Sequence, residues 1–116
     1  MRGAMTRGES VEFVLMSTAN VSKSIRVGLL AYGAIGHEHN LAVQATSGLE
    51  LTAVCDTNPD RIVAAKELAP NVASFSDALT MLDSGTLDLV VISTPPNSHY
   101  MWAKEALQRN IHVVLE

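Results

Sequence analysis

Of the 116 residues only one is a cysteine, Cys55. A single thiol closes no internal disulfide and leaves no thiolate set for a Cys-based zinc site. It also fits a reducing, cytoplasmic setting better than a secreted one. Aromatic side chains make up 4% of the chain, and eight Lys+Arg stand against twelve Asp+Glu, for a formal charge of -4. With few platforms for stacking bases and no basic excess, nucleic acid and anionic membrane surfaces are not expected partners. Long apolar runs are missing too. The early stretch Val11–Met16 is broken by Glu12 and falls far short of the roughly 20 residues of a membrane span, so neither a signal peptide nor a transmembrane helix is read there. A Gly-x-Ser-x-Gly nucleophile elbow does not occur.

What remains is the composition of a packed domain. Hydrophobic residues reach 47%, charged residues 17% and mean hydropathy +0.19, which excludes a disordered or fibrous chain. At roughly 100–200 residues per domain, there is room for one. Residues 1–24 mix Gly, Ser, Thr and Arg without a sustained period and read as a flexible arm or a start-site artefact, with Met16 a plausible true start.

From Ser24 onward, short apolar runs alternate with longer amphipathic ones, the pattern of βα units around a parallel sheet. The runs Ile25–Ala31, Leu49–Cys55, Val72–Phe75, Leu87–Ser93 and Ile111–Leu115 read as strands, most of them too continuously apolar to face water on either side. Four helices fit between them. The first spans Ala34 to Thr46, with Ile35, Leu41, Ala42 and Ala45 as its inner side and Gly48 as its C-terminal cap. The second has Asn58 as N-cap, Pro59 in its first turn, a stripe of Ile62, Val63, Leu68 and Ala69, and Pro70 as its stop. A third begins at Ser76-Asp77 and ends at Gly85. A fourth starts at Asn97-Ser98, carries Trp102, Ala103, Ala106 and Leu107 on one face and stops near Asn110. Right-handed crossovers then give a doubly wound α/β fold of three layers, α/β/α, with strand order 3-2-1-4-5 and a ligand crevice between strands 1 and 4.

Two loops meet at that crevice. The first carries Ala31-Tyr-Gly33-Ala34-Ile35-Gly36 between strand and helix. A dinucleotide loop needs a tight turn, a side-chain-free approach to the pyrophosphate and a small residue where helix packs on strand. Gly33 and Gly36 fit the second and third needs. Ala31 stands where the first glycine would be, and alanine disfavours the positive φ such a turn requires. Phosphate would lie against the free amides at the start of the helix, around Ala34 and Ile35. Asp56, twenty positions after Gly36, can accept hydrogen bonds from ribose hydroxyls and repel a 2′-phosphate, which favours NAD over NADP. Arg61 pulls the other way, since a guanidinium there could reach a 2′-phosphate. The second loop, Ser93-Thr94-Pro95-Pro96-Asn97-Ser98-His99, is stiffened by its prolines and capped by Asn97 or Ser98.

The order and spacing of Val27–Gly36, Ala53–Asp56, Ser93–His99 and Ala106–Glu116 resemble the nucleotide-binding half of the glucose-fructose oxidoreductase / inositol dehydrogenase / rhizopine-catabolism (Gfo/Idh/MocA) family. The resemblance implies a Rossmann-type domain over residues 25–116 that binds NAD or NADP, paired in the family with a larger domain holding a sugar, polyol or related substrate. It places Gly33 and Gly36 at the pyrophosphate, Asp56 at the adenosine ribose, and Thr94, Pro95, Asn97 and His99 along the cofactor. Glu116 matches the first residue of the family's Glu-Lys-Pro motif, whose Lys would lie beyond Glu116; no catalytic residue is expected within the chain. A truncated reading frame accounts for this, and such a chain would not turn over substrate alone. A non-catalytic dinucleotide-binding or regulatory module is the alternative; a nucleotide-linked methyltransferase fits less well. A full-length form could be a homo-oligomer.

Other residues read as structural. His37-Glu38-His39 lacks the i, i+4 histidine spacing of a helical zinc site, and His39 is expected to pack or hydrogen bond near the glycine turn. Cys55 reads as a small hydrophobe, His112 as a structural histidine, and Trp102 as core or domain-contact surface.

Overall fold

The computed structural model describes residues 23–116. The readings made for the N-terminal arm, including Val11–Met16 and Met16, lie outside the described residues. The chain runs β1 (Ile25–Leu30), α1 (Ala34–Gln44), β2 (Leu49–Cys55), α2 (Pro59–Leu68), β3 (Ala73–Phe75), α3 (Ala78–Leu82), β4 (Leu89–Ile92), a 3-10 turn (Pro96–Ser98), α4 (His99–Gln108) and β5 (His112–Leu115). All four strand pairings are parallel, in the order β3-β2-β1-β4-β5. The sheet is therefore the doubly wound one expected from the sequence, with strand limits moved by one or two residues.

Each face of the sheet carries its own core. Leu30, Ala53, Cys55, Val90 and Ile92 meet Met81 and Leu82 of α3 and Ala106 of α4 on one side. Val27, Leu29, Leu51, Val54 and Val91 meet Val43 of α1 and Ala65 of α2 on the other. Burying a Leu, Ile, Val or Met side chain contributes about 1.5–3 kcal/mol, so the strands earn their apolar composition on both faces. Leu51 and Val54 share a face despite their odd spacing because the β1–β2 register shifts between Val27 and Gly28. Thr52 is the residue passed over there, and its hydroxyl donates to the Thr86 carbonyl at 2.6 Å. Gly28 has a packing duty: a Cβ on it would sit 2.8 Å from Leu87 Cδ1.

Helix faces depart from the sequence reading. The buried line of α1 is Gly36, Asn40 and Val43, at i, i+4 and i+7, whereas Ile35 and Leu41 are 47% and 42% exposed and Ala42 and Ala45 lie outside. Val63 of α2 and Leu107 of α4 are also exposed, at 61% and 59%. Small residues let the helix backbones approach the sheet, so the larger apolar side chains flanking them remain at the rim. Helix α1 ends at Gln44 with Ala45 as its C-cap, and Gly48, at φ +90°, makes the turn into β2 rather than capping the helix. Asn58 and Asp77 cap α2 and α3 by accepting the Asp60 and Thr80 N–H groups, each at 2.9 Å. Asn110, at φ +60°, closes α4.

At the end of the sheet away from the ligand crevice, Arg26 clamps Asp88, with Nε 3.1 Å from Oδ2 and Nη2 2.9 Å from Oδ1. The Arg26 N–H donates to the same carboxylate at 2.9 Å, and these bonds hold the Asp88 carboxyl down to about 2. A depressed carboxyl adds stability above its unfolded value near 3.9 and loses it as pH falls toward 2. Since both side chains are partly in water, Asp88→Asn is expected to cost on the order of 1 kcal/mol at pH 7. In unfolding titrations that difference should shrink between about pH 4 and pH 2, where the wild-type carboxyl itself protonates.

Candidate functional site

A cleft of about 360 Å³ opens at the carboxyl ends of β1 and β2, lined among others by Ala31, Asp56, Arg61, Asp77, Thr94 and Trp102. It lies where the connections leave β1 and β4 in opposite directions, the topological switch point at which open α/β sheets bind ligands.

Its first wall is the turn from β1 to α1. Ala31 adopts φ +79°, a left-handed conformation that costs an L-residue roughly 1–2 kcal/mol. The turn keeps the shape a glycine would favour because its neighbours fix it: Ala31 N–H donates to the Cys55 carbonyl at 2.8 Å and Tyr32 N–H to Asp56 Oδ2 at 2.8 Å. Gly33 is the N-cap of α1, with an ordinary extended backbone. Its lack of a side chain leaves open space, since among the described residues beyond its chain neighbours a Cβ placed there would meet just Arg61 Nη1, at 4.0 Å. Among the described residues no side chain caps α1, and its first turn has no acidic residue, so the backbone amides around Ala34 and Ile35 are open to an anion. Gly36 is tight in a different sense: its Cβ would stand 3.0 Å from the Ala31 carbonyl and 3.2 Å from Tyr32 Cδ1.

Asp56 follows β2. Its side chain is 6% exposed, Oδ1 accepts the Asn58 N–H at 2.9 Å, and Arg61 Nη1 lies 3.6 Å from Oδ2. Arg61 itself is 53% exposed and reaches over the cleft from α2. The neighbouring Cys55 thiol is pushed up to about 11, by burial first and then by Asp56 and Asp77. It therefore stays protonated and acts as apolar wall.

The loop after β4 is braced by its own side chains. His99 Nε2 lies 2.7 Å from the Thr94 carbonyl, and the Ser98 hydroxyl contacts Thr94 Oγ1 and the Pro95 carbonyl at 2.7 Å each. Neither Asn97 nor Ser98 caps α4 through its side chain. Thr94 joins Ala31, Asp56 and Arg61 around the cleft, whereas Gly33, Ala34, Ile35, Gly36, Pro95, Asn97 and His99 stand outside its lining. Glu116 is also apart from it. The Glu116 N–H extends the ladder to the Ile92 carbonyl at 3.1 Å, and its Oε1 lies 2.7 Å from His39 Nε2 without hydrogen-bond alignment. His39 thus reaches the end of β5, not the glycine turn as expected from the sequence.

Sequence reading missed the polar cluster behind the turn. Tyr32 is buried, its hydroxyl 2.9 Å from His37 Nδ1 and 3.0 Å from Asn40 Nδ2, and Asn40 also donates to the Ala65 carbonyl at 3.2 Å. The cluster ties the turn, α1 and α2 together. The legible signal was Asn40 at helical spacing between Gly36 and Val43.

Fold and site together define a nucleotide-binding α/β domain whose opening sits at the switch point. The chain belongs to the Gfo/Idh/MocA oxidoreductase family, NAD-binding Rossmann fold, matching it over residues 25–116. It is 30% identical over 97 residues to an inositol 2-dehydrogenase of Corynebacterium glutamicum, covering 83% of this chain and 29% of the relative. To the uncharacterized oxidoreductase YdgJ of Escherichia coli it is 32% identical, again over 83% of the chain and 27% of the relative. Among solved structures, the WlbA dehydrogenase from Bordetella pertussis in complex with NADH and UDP-GlcNAcA superposes with a TM-score of 0.73 at 36% identity, over 80% of this chain and 28% of that one. The scyllo-inositol dehydrogenase from Lactobacillus casei with bound NAD(H) and scyllo-inositol gives 0.74 at 25% identity, with the same coverage. The chain thus spans less than a third of the length of these relatives. Nicotinamide dinucleotide binding is the property of the family domain that it matches. Among the described residues no helix is long and apolar enough to cross a membrane.

Because a Cβ there would press on the Ala31 carbonyl and on the ring of the buried Tyr32, Gly36→Ala is expected to destabilise the domain by about 1–3 kcal/mol. Urea unfolding measures this, and an unchanged midpoint would show that the turn yields freely.

Proposed function

We propose that residues 25–116 bind NAD(H) as the cofactor domain of an oxidoreductase acting on a CH–OH group of a sugar, polyol or related substrate. The carrying observation is the turn at Ala31–Gly36: Ala31 lines the cleft, a Cβ on Gly33 would stand 4.0 Å from Nη1 of the cleft-lining Arg61, and the uncapped start of α1 follows. The residues present fit a pyrophosphate at Gly33, Ala34, Ile35 and Gly36, with Asp56 and Thr57 at the adenosine side and Thr94 opposite. The printed substrates of the inositol and UDP-sugar relatives support the substrate class. When bound, the nicotinamide supplies two-electron hydride exchange, and this chain's residues bind and orient it.

NAD is the preferred cofactor in this reading. A 2′-phosphate would approach the Asp56 carboxylate, and the Arg61 guanidinium that could welcome it already lies 3.6 Å from that carboxylate. Pro95, Asn97, His99 and Glu116 are assigned to the stretch of cofactor running from the cleft toward the nicotinamide, with the 3-10 turn as its rigid support. The free Cys55 supports a cytoplasmic setting, and the exposed Val114 and Leu115 on edge strand β5 support self-association of a full-length form.

Trp102, the single tryptophan, lines the cleft and serves as the reporter. Titration with NADH is expected to quench its emission saturably through energy transfer to the nicotinamide. NADPH should bind more weakly by about tenfold, or ~1.4 kcal/mol. Absence of saturable quenching by either dinucleotide refutes the cofactor assignment, and tighter NADPH refutes the preference.

A further inference from the structure

Asp56 is placed beside a ribose in the proposed reading, yet both hydrogen bonds its carboxylate accepts come from the chain's own backbone, with Arg61 Nη1 3.6 Å away as an ion-pair partner. Oδ2 accepts the Tyr32 N–H at 2.8 Å, and Oδ1 accepts the Asn58 N–H at 2.9 Å. Tyr32 directly follows Ala31, which is held at φ +79°. Alanine has an easy escape from that conformation by rotating to negative φ. Such a rotation turns the Ala31–Tyr32 peptide and draws the Tyr32 N–H away from Oδ2. It would also displace Gly33 and the first amides of α1. Glycine would hold the left-handed form without help; alanine needs a partner that makes it worthwhile.

Two adjacent residues at the end of β2 provide that partner. The Cys55 carbonyl accepts from Ala31 N–H at 2.8 Å, on one side of the strained residue, and Asp56 accepts from Tyr32 N–H on the other. The first contact is available to any residue at position 55, since it is backbone to backbone. The second depends on a carboxylate, and charge-assisted bonds to backbone N–H groups are among the stronger ones a side chain makes. Through Asn58, the N-cap of α2, the same carboxylate also fixes where α2 and Arg61 begin.

We propose that Asp56 is a positioning residue, a latch that holds the Ala31–Tyr32 turn in its left-handed form and so presents Gly33 and the start of α1 to the anionic ligand. The binding half of this assignment rests on the dinucleotide reading; the conformational half does not. A carboxylate acting only on the ribose would discriminate between NAD and NADP and leave the turn alone. A latch governs the shared pyrophosphate site, and both cofactors depend on it.

Wild type, Asp56→Ala, Ala31→Gly and the double variant decide between these, each titrated with NADH and NADPH and each thermally unfolded. Asp56→Ala is expected to weaken both dinucleotides by about tenfold or more. NADPH is the telling half, because a ribose-only role predicts that NADPH binds more tightly once the carboxylate is gone. Ala31→Gly should restore affinity in the Asp56→Ala background by several-fold more than it improves wild type, since only there is the turn free to leave its binding form. Its gain in melting temperature should be larger in wild type, where the strain is still enforced. Tighter NADPH binding to Asp56→Ala, or equal effects of Ala31→Gly in both backgrounds, overturns the latch. If Asp56→Ala does not fold, Asp56→Asn, which keeps one acceptor oxygen, takes its place in the same comparison. If wild type binds neither dinucleotide, the cofactor reading falls, and the melting cycle alone decides the latch: non-additive shifts support it and additive shifts overturn it.

Discussion

One carboxylate joins the two turns on which the cleft depends. Asp56 accepts an N–H from each of the first two βα connections, bringing the start of α1 and the start of α2 into one frame. Buried carboxylates are tolerated only when their hydrogen bonds are made, and here backbone amides make them. The glycine-bearing turn, the strained Ala31 and the placement of Arg61 all follow from that contact. Behind it, Tyr32, His37 and Asn40 form a second tie between the same turn and α2, through the Ala65 carbonyl.

The sheet supports this frame by packing that is tight at specific points. Gly28 admits Leu87, the Thr52 irregularity sets which β2 side chains reach each core, and Gly36 lets α1 rest on the turn that precedes it. The opposite end of β1 is secured by Arg26 and Asp88. The strand that bears the functional turn is thus fixed by ion pairing at its start and by hydrogen bonding at its end, with two apolar cores between.

Much of this was legible in the residues. Continuous Val, Ile and Leu runs marked strands buried on both faces, and Asn58-Pro59 and Asp77 marked helix starts, because these patterns report local physics directly. The topology followed from handedness, and the glycine loop with Asp56 at its distance pointed to the cleft. Helix orientation was not legible in the same way. Apolarity alone would turn Ile35, Leu41 and Val63 inward, since it states only that burial is favourable, whereas Gly36, Asn40 and Ala65 are inward because a close backbone approach leaves room for little else. A buried asparagine and a tyrosine in a turn depend on partners distant in sequence. The engagement of Ser98 and His99 with Thr94 likewise depends on a fold of the loop that spacing alone does not specify.

The two faces of the sheet are unequally sheltered. Helices α3 and α4 lie under β2 to β5 on one side, while on the other α1 and α2 sit over β1 and β2, and His112 and Val114 of β5 look into solvent. The exposed Val114 thus leaves apolar surface in water two strands from β1, and the domain forgoes there the burial that its other strands gain on both faces.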